Sequence, residues 1–424
     1  MIRWLWSRVS ARLLVFLGVL TATLNAQTHQ DDYDDVDPWV GFESRGPGAD
    51  STAVAGFLAA LEVANPVVCQ LAVSSIGNNW GHRDSDHLIG ILAGEVTHEA
   101  SREALSGPIT DPGALALLAE SLGNQHPCVR RAAARMLGQG RAPETTRQLR
   151  TALRDQDPRV REGAALGLAH AEDPAAFHDL SSALKDKDQS VIRMAAYALG
   201  ELEDARAVKP LGDLLASKDP DTRATAAWAL GEIEDIRAVQ RLKGLVRDHD
   251  AKVRLAAVES LGELEDYRAT GSLTDALRDK DIRVRRAAAE ALGEVEDHKA
   301  TAPLVQALDD PDPVVRRLAA QALGELDGLK RAPARLVAAL EDRDSELAII
   351  AAVSLGEIGD TVVVPALVQA YRSENPRIRY SVISALAELE DQRGDAVLNT
   401  ASKDQDQIVR HKAAEVLRHR DDDE

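Results

Sequence analysis

The run VRRAAAEALGEVED, residues 284–297, decides how the chain is read. Val284, Ala287, Ala288, Ala291, Leu292 and Val295 recur at spacings of three and four, which makes one apolar stripe along a helix. Asp281 stands just ahead, with the short oxygen-bearing side chain that caps a helix N-terminus. The string recurs throughout the chain. Aligned on its first arginine, the column reads Arg130, Arg161, Ile192, Arg223, Arg254, Arg285, Arg316, Ala348, Arg379 and Arg410, in steps of 31 with one of 32 at Ala348. Seven residues on, every copy has a leucine, from Leu137 to Leu417, usually followed by Gly and Glu. Four residues before the column stand Asp157, Asp188, Asp219, Asp250, Asp281, Asp312, Asp344 and Asp406, while Pro158, Pro220, Pro313 and Pro376 take the first helical position.

A period of this length is the mark of a stacked-repeat architecture, in which each unit is a pair of helices that cannot bury its apolar stripe alone. About twelve units fill residues 51–424. Residues 126–424 keep the rhythm. Residues 51–125 keep it loosely, through Cys69 with Ile76-Gly77 and His98 with Leu105, and a polar insertion occupies 77–87. Aromatic residues are only 3% of the chain against 45% apolar, so the core must be Ala, Leu and Val, and small faces let helices approach near the lower end of the ~8–10 Å range.

These copies resemble HEAT repeats of the short type also found in phycobilisome-lyase-like proteins. The resemblance covers residues 51–424 and is most specific over 126–417. It implies an all-α fold, a right-handed α-solenoid of about twelve helical hairpins whose second helices line a concave surface used to bind proteins. Two enzyme classes share the repeat: bilin lyases, and di-iron hydroxylases that carry His-Glu pairs just after the arginine column. Here those two columns read from Arg131-Ala132 through Arg286-Ala287 to His411-Lys412, with no His-Glu pair. His98-Glu99 is one position out of register and alone. No catalytic residue is assigned and no cofactor is expected.

The first 26 residues have a different character. Arg3, Arg8 and Arg12 lead into the apolar run Leu13–Leu20, and small and polar residues end at Ala26, which is the pattern of a cleaved signal peptide. The run is shorter than the ~20 residues that span a bilayer. The protein is therefore expected to be periplasmic or secreted, with an adaptor arm held at a membrane as the alternative if the segment stays on. Residues 27–50, rich in Asp and ending in Gly and Pro, read as an acidic disordered linker. The formal net charge is −19, and removing the leader takes three arginines and no acid, leaving −22. Such a charge argues against a sequence-independent grip on nucleic acid or anionic lipid.

Candidate sites follow from the helix geometry. Positions one and five after the arginine column lie opposite the buried stripe, so they should line the concave face. Position one supplies Arg131, Arg193, Arg286 and Arg317, which predicts a groove less acidic than the molecule. Position five supplies Leu166, Tyr197 and Trp228 in consecutive units, read as an exposed apolar ladder, and Ile349, Val353 and Tyr380 form a second patch. Tyr, Trp and Arg are the residues enriched at binding hot spots, so a protein or peptide partner is expected here. His82, His87, His98 and Glu99 are weak metal-ligand candidates without a regular ligand spacing; a solvated loop accounts for them as well. Repeated Asp-x-Asp turns offer two of the five to seven oxygens of a calcium loop, and N-capping explains them. Cys69 and Cys128 sit two units apart, roughly 20 Å at ~10 Å per unit and beyond the ~7 Å that a bridge allows, which predicts two free thiols.

Overall fold

The computed structural model describes residues 50–64, Cys69, Val73, 109–138, 143–171 and 173–422. Among these every element is helical. In chain order they are α1 (Ser51–Glu62), α2 (Pro112–Ser121), α3 (Pro127–Gly138), α4 (Pro143–Ala152), α5 (Pro158–Ala171), α6 (Phe177–Ala183), α7 (Gln189–Glu201), α8 (Val208–Leu214), α9 (Pro220–Glu232), α10 (Val239–Leu245) and α11 (Ala251–Glu263). There follow α12 (Thr270–Ala276), α13 (Ile282–Glu294), α14 (Thr301–Ala307), α15 (Pro313–Glu325), α16 (Ala334–Ala338), α17 (Ser345–Ile358), α18 (Val364–Ala370), α19 (Pro376–Leu389), α20 (Asp395–Ala401) and α21 (Gln407–Asp422). From α3 on, the odd-numbered helices are the second helices of successive units. Each packs side by side with the next odd-numbered helix, and the even-numbered helix between them lies behind. The architecture is an α-solenoid.

The second helices begin where the aspartates place them. Asp188, Asp250, Asp281 and Asp344 accept hydrogen bonds from backbone N–H groups two residues on, and Asp219 and Asp312 from those three on. Most units carry another aspartate two residues earlier, which accepts the N–H of the capping residue, as Asp279 does from Asp281 and Asp404 from Asp406. That first aspartate also receives the arginine column of the preceding unit. Arg254 donates through Nε and Nη2 to Asp279 at 2.7 and 2.8 Å, and through Nη1 to the carbonyls of Asp248 and His249. Arg130, Arg161, Arg223, Arg285 and Arg379 make the same fork to Asp155, Asp186, Asp248, Asp310 and Asp404. One guanidinium thus closes its own acidic turn and clamps the next unit.

The exceptions confirm the pairing. Ile192 and Ala348 stand where the arginine is missing, and the residues 25 places on, where the aspartate should be, are Ser217 and Ser373. Each serine still accepts the N–H of its capping residue, Asp219 or Asn375. Both partners are absent together, as expected where a lone buried aspartate would be left uncompensated.

Alanine fills the seams. Ala288, Ala319, Ala320, Ala351 and Ala352 are wholly buried, and backbones come close enough that a Cβ on Gly138 would lie 2.2 Å from the Gly167 Cα. The second helices α7, α9, α11 and α13 give way to Glu203, Glu234, Glu265 and Glu296 in left-handed backbone, where Gly is the usual occupant.

The cysteines depart from expectation. Cys69 and Cys128 form a disulfide with Cα atoms 5.9 Å apart. The spacing of the regular units does not extend to the irregular ones before residue 126: α1 packs on both α2 and α3, and Cys69 lies directly against α3 through the bond to Cys128. The polar insertion at 77–87 lies outside the described residues.

Arg254 and Asp279 are 5% and 11% exposed. Arg254→Ile alone should cost about 3 kcal/mol in urea unfolding, because it strands a buried carboxylate. Adding Asp279→Ser, the combination already present at Ile192 and Ser217, is expected to recover most of that loss. A double variant no more stable than the single one would refute the coupling.

Candidate functional site

The second-helix row leaves one stripe open. In α13 it is Arg286, Glu290 and Glu294, at positions one, five and nine after the column, while Val284, Ala288, Ala291 and Leu292 face inward. The predicted face is therefore present, but its chemistry differs from the expectation at several positions.

Position one is neutralised. Arg131 bonds Asp157, Arg193 bonds Asp219, Arg286 bonds Asp312 and Arg317 bonds Asp344, at 2.5, 3.0, 3.1 and 2.8 Å. In every case the acceptor is the capping aspartate of the next unit, so these arginines bind the solenoid to itself. Ile349 is buried at 6% exposure, and Val353 and Tyr380 are half-buried. The second patch is thus partly core.

Position five holds the aromatic feature. Tyr197 and Trp228 stack with ring centroids 4.8 Å apart and planes 11° from parallel. Both are half-buried and pack against the core. Leu166 is only 4% exposed and leaves the ladder, because the neighbouring helices cover it. It lines a cavity of about 100 Å³ with Cys69, Val73, Arg131, Arg135, Arg159, Glu162, Gly163 and Met194. Arg131 Nη1 lies 4.0 Å from the Cys69 sulfur, so the disulfide forms part of this wall.

Position nine is a feature to which sequence reasoning gave no role. Glu201, Glu232, Glu263, Glu294, Glu325, Glu357 and Glu388 follow one another at the ends of consecutive second helices. The signal was the Gly-Glu pair after the leucine column. The structure gives its reason: Gly231, Gly262, Gly293, Gly324 and Gly356 each have the glutamate of the next unit, Glu263, Glu294, Glu325, Glu357 and Glu388, lying where a Cβ would stand, so these five glutamates lie across the glycine of the unit before. Glu259 and Glu290 add charge beside the row. The arginines of the face are answered by aspartates and its glutamates are gathered in one row.

Burial and the neighbouring carboxylates Glu232, Glu259 and Glu294 push Glu263 up to about 7. Burial together with Glu290, Glu265 and Glu325 does the same to Glu294, also to about 7. Burial raises Glu388, with Lys412 opposing. Among the described residues no group of three or more His, Cys, Asp or Glu is placed to hold a metal ion, and no helix is long and apolar enough to cross a membrane. His82, His87, His98 and Glu99 lie outside the described residues.

A row of paired helices with one open, chemically graded face defines a repeat scaffold. The chain belongs to the HEAT-repeat family, whose profile matches residues 114–198, 177–252, 241–324 and 333–418. No curated protein matches it in sequence. Among solved structures, an engineered protein aligns at 22% identity over 72% of this chain and 98% of its own, with a TM-score of 0.47. The complex of CpcE and CpcF of phycocyanin lyase from Nostoc sp. PCC7120 aligns at 26% identity over 53% and 92%, with a TM-score of 0.34. Human deoxyhypusine hydroxylase aligns at 24% over 58% and 96%, with a TM-score of 0.28.

The raised glutamates set a pH dependence. A carboxyl whose folded value exceeds its unfolded value binds its proton more tightly in the native state, so native stability falls as pH rises from 4.5 to 7 and the loss is complete above 7. Carboxyl ¹³C shifts of Glu263 and Glu294 should titrate near pH 7. The pair Glu263→Gln, Glu294→Gln should flatten the unfolding midpoint across that window, and midpoints that move identically in both proteins would contradict the assignment.

Proposed function

We propose that this chain is an exported, non-enzymatic scaffold that holds a protein or peptide partner on the open face of its second-helix row. The observation that carries the reading is the Tyr197–Trp228 stack, two large half-buried rings at consecutive units. Rings of this kind supply rigid contact area at small entropic cost and dominate binding energy where they occur. The expected export to the periplasm or beyond is supported by the Cys69–Cys128 disulfide, a bond that persists in oxidising compartments. A partner, on this reading, runs across several units, because the face offers its contacts one unit at a time.

The test is to express the chain with its own leader, purify it from the exported fraction, and crosslink it to its partner. The mature N-terminus should be Gln27. Tyr197→Ala with Trp228→Ala should weaken capture by roughly 30-fold, the scale of losing a hot spot of about 2 kcal/mol, while leaving helicity intact. Stoichiometric iron or a bound chromophore would move the reading to the hydroxylase or lyase class. Retention of the whole chain in the membrane fraction would move it to a tethered adaptor.

A further inference from the structure

We propose that the turns joining α6 to α7, α8 to α9, α10 to α11 and α12 to α13 form a second interaction surface, which takes an acidic protein segment in the polyproline II conformation. It uses none of the residues of the Tyr197–Trp228 stack and goes beyond the reading given above. In each turn two residues flank the position that receives, or in one case lacks, the arginine of the preceding unit. They read Lys185 and Lys187, Ala216 and Lys218, Arg247 and His249, and Arg278 and Lys280, all exposed. Seven of the eight are basic and none is acidic, in a chain whose net charge is −19. In the following units the same positions read Asp309 and Pro311, Glu341 and Arg343, and Arg372 and Glu374, so the repeat itself does not impose the basic run.

The carboxylates of these turns are already engaged. Arg161, Arg193, Arg223 and Arg254 hold Asp186, Asp219, Asp248 and Asp279, while Asp188, Asp250 and Asp281 cap the helices that follow. Among the described residues the ammonium groups of Lys185, Lys187, Lys218 and Lys280 have no side-chain partner, and Arg278 bonds the neutral amide of Gln306 at 2.8 Å. The same forks set the turns side by side. Arg223 donates to the Ser217 carbonyl in one turn and to Asp248 in the next, and Arg254 to the Asp248 carbonyl and to Asp279. Between the last two turns lies a shallow cleft of about 510 Å³ with Arg247, His249, Arg278 and Lys280 on its walls; its acids, Asp248, Asp275 and Asp279, are each bonded to an arginine. Spacing then selects the ligand. Neighbouring units stand ~8–10 Å apart. A polyproline II helix has three residues per turn and rises ~3.1 Å per residue, so every third side chain returns to the same side ~9 Å further on. A segment with a carboxylate at every third position therefore presents one to each turn, and its stiffness limits the ordering cost. Nucleic acid fits less well: none of the eight positions is aromatic to stack a base, and a longer polyanion would run onto Asp309 and Glu341.

The probes are two capped decapeptides of the same composition, Glu-Pro-Pro repeated three times and closed by Glu, and an isomer with its four glutamates in one block followed by six prolines. Each carries a fluorophore and is titrated with the full chain at low ionic strength, with anisotropy as readout. The spaced peptide should bind about tenfold more tightly than the block isomer, and the binding should vanish at ~0.5 M salt, as contacts between exposed charges require. Lys218→Gln with Lys280→Gln should weaken it about fivefold, the scale of two exposed ion pairs. Lys403→Gln, in an equivalent turn outside the run, should leave it unchanged. All three lysines are exposed, so these variants keep the fold. No saturable binding, equal affinity for the two isomers, or equal losses in the double variant and Lys403→Gln would overturn the surface. Pentathymidylate, which carries four phosphodiester charges, should bind more weakly than the spaced peptide; tighter binding would give the surface to nucleic acid and overturn the proposal. Tyr197→Ala with Trp228→Ala should bind the spaced peptide as the unaltered chain does, and a loss there would place the peptide on the open face and overturn this surface while leaving the scaffold reading intact.

Discussion

The rest of the structure depends on the arginine at the head of all but two of the regular second helices. A turn rich in aspartate cannot order itself unaided, because its carboxylates repel one another and its carbonyls have lost their helical partners. The guanidinium supplies both needs at once, two carbonyls in its own unit and a carboxylate in the next. The receiving aspartate is held in turn by the N–H of the residue that caps the following helix. Ordering one unit therefore prepares the acceptor for the unit before it, which is nearest-neighbour coupling written in hydrogen bonds. The bond also explains the fixed period. Where one residue is inserted, between Arg316 and Ala348, Arg316 still reaches its own carbonyls but approaches Asp344 only to 3.9 Å.

Close packing then determines what the open face can be. Ala and Gly at the seams bring second helices together so tightly that each position-one arginine spans to the next capping aspartate and the glutamates from Glu263 to Glu388 cover the preceding glycine. One edge of the face is thereby neutralised and the other is crowded with like charge. Neither outcome concerns a ligand; both follow from the distance between helices.

Much of this was legible from the chain. The period, the helix starts and the existence of an open stripe follow from spacing and capping chemistry, which act within one unit. What was not legible acts between units. A helical wheel shows which way Arg286 points but not that Asp312 is within its reach. It places Leu166 and Ile349 on an outer angle, whereas flanking helices cover them. The disulfide was not legible for a related reason: a spacing valid for regular units does not hold where the rhythm fails, and there Cys69 lies directly against α3.

Variation along the row then resides in the columns that do not join units. The arginine, capping and glutamate columns are engaged in joining units, so their side chains are nearly constant and carry little information along the row. Position five varies instead. It reads Arg135, Leu166, Tyr197, Trp228, Glu259, Glu290, Gln321, Val353, Ser384 and Glu415. Such variety is tolerated because the clamps between units are made by other columns, so the residue at position five is not dictated by the period. Differences along an otherwise repetitive frame are thus concentrated in the one column whose identity the joining of units does not fix.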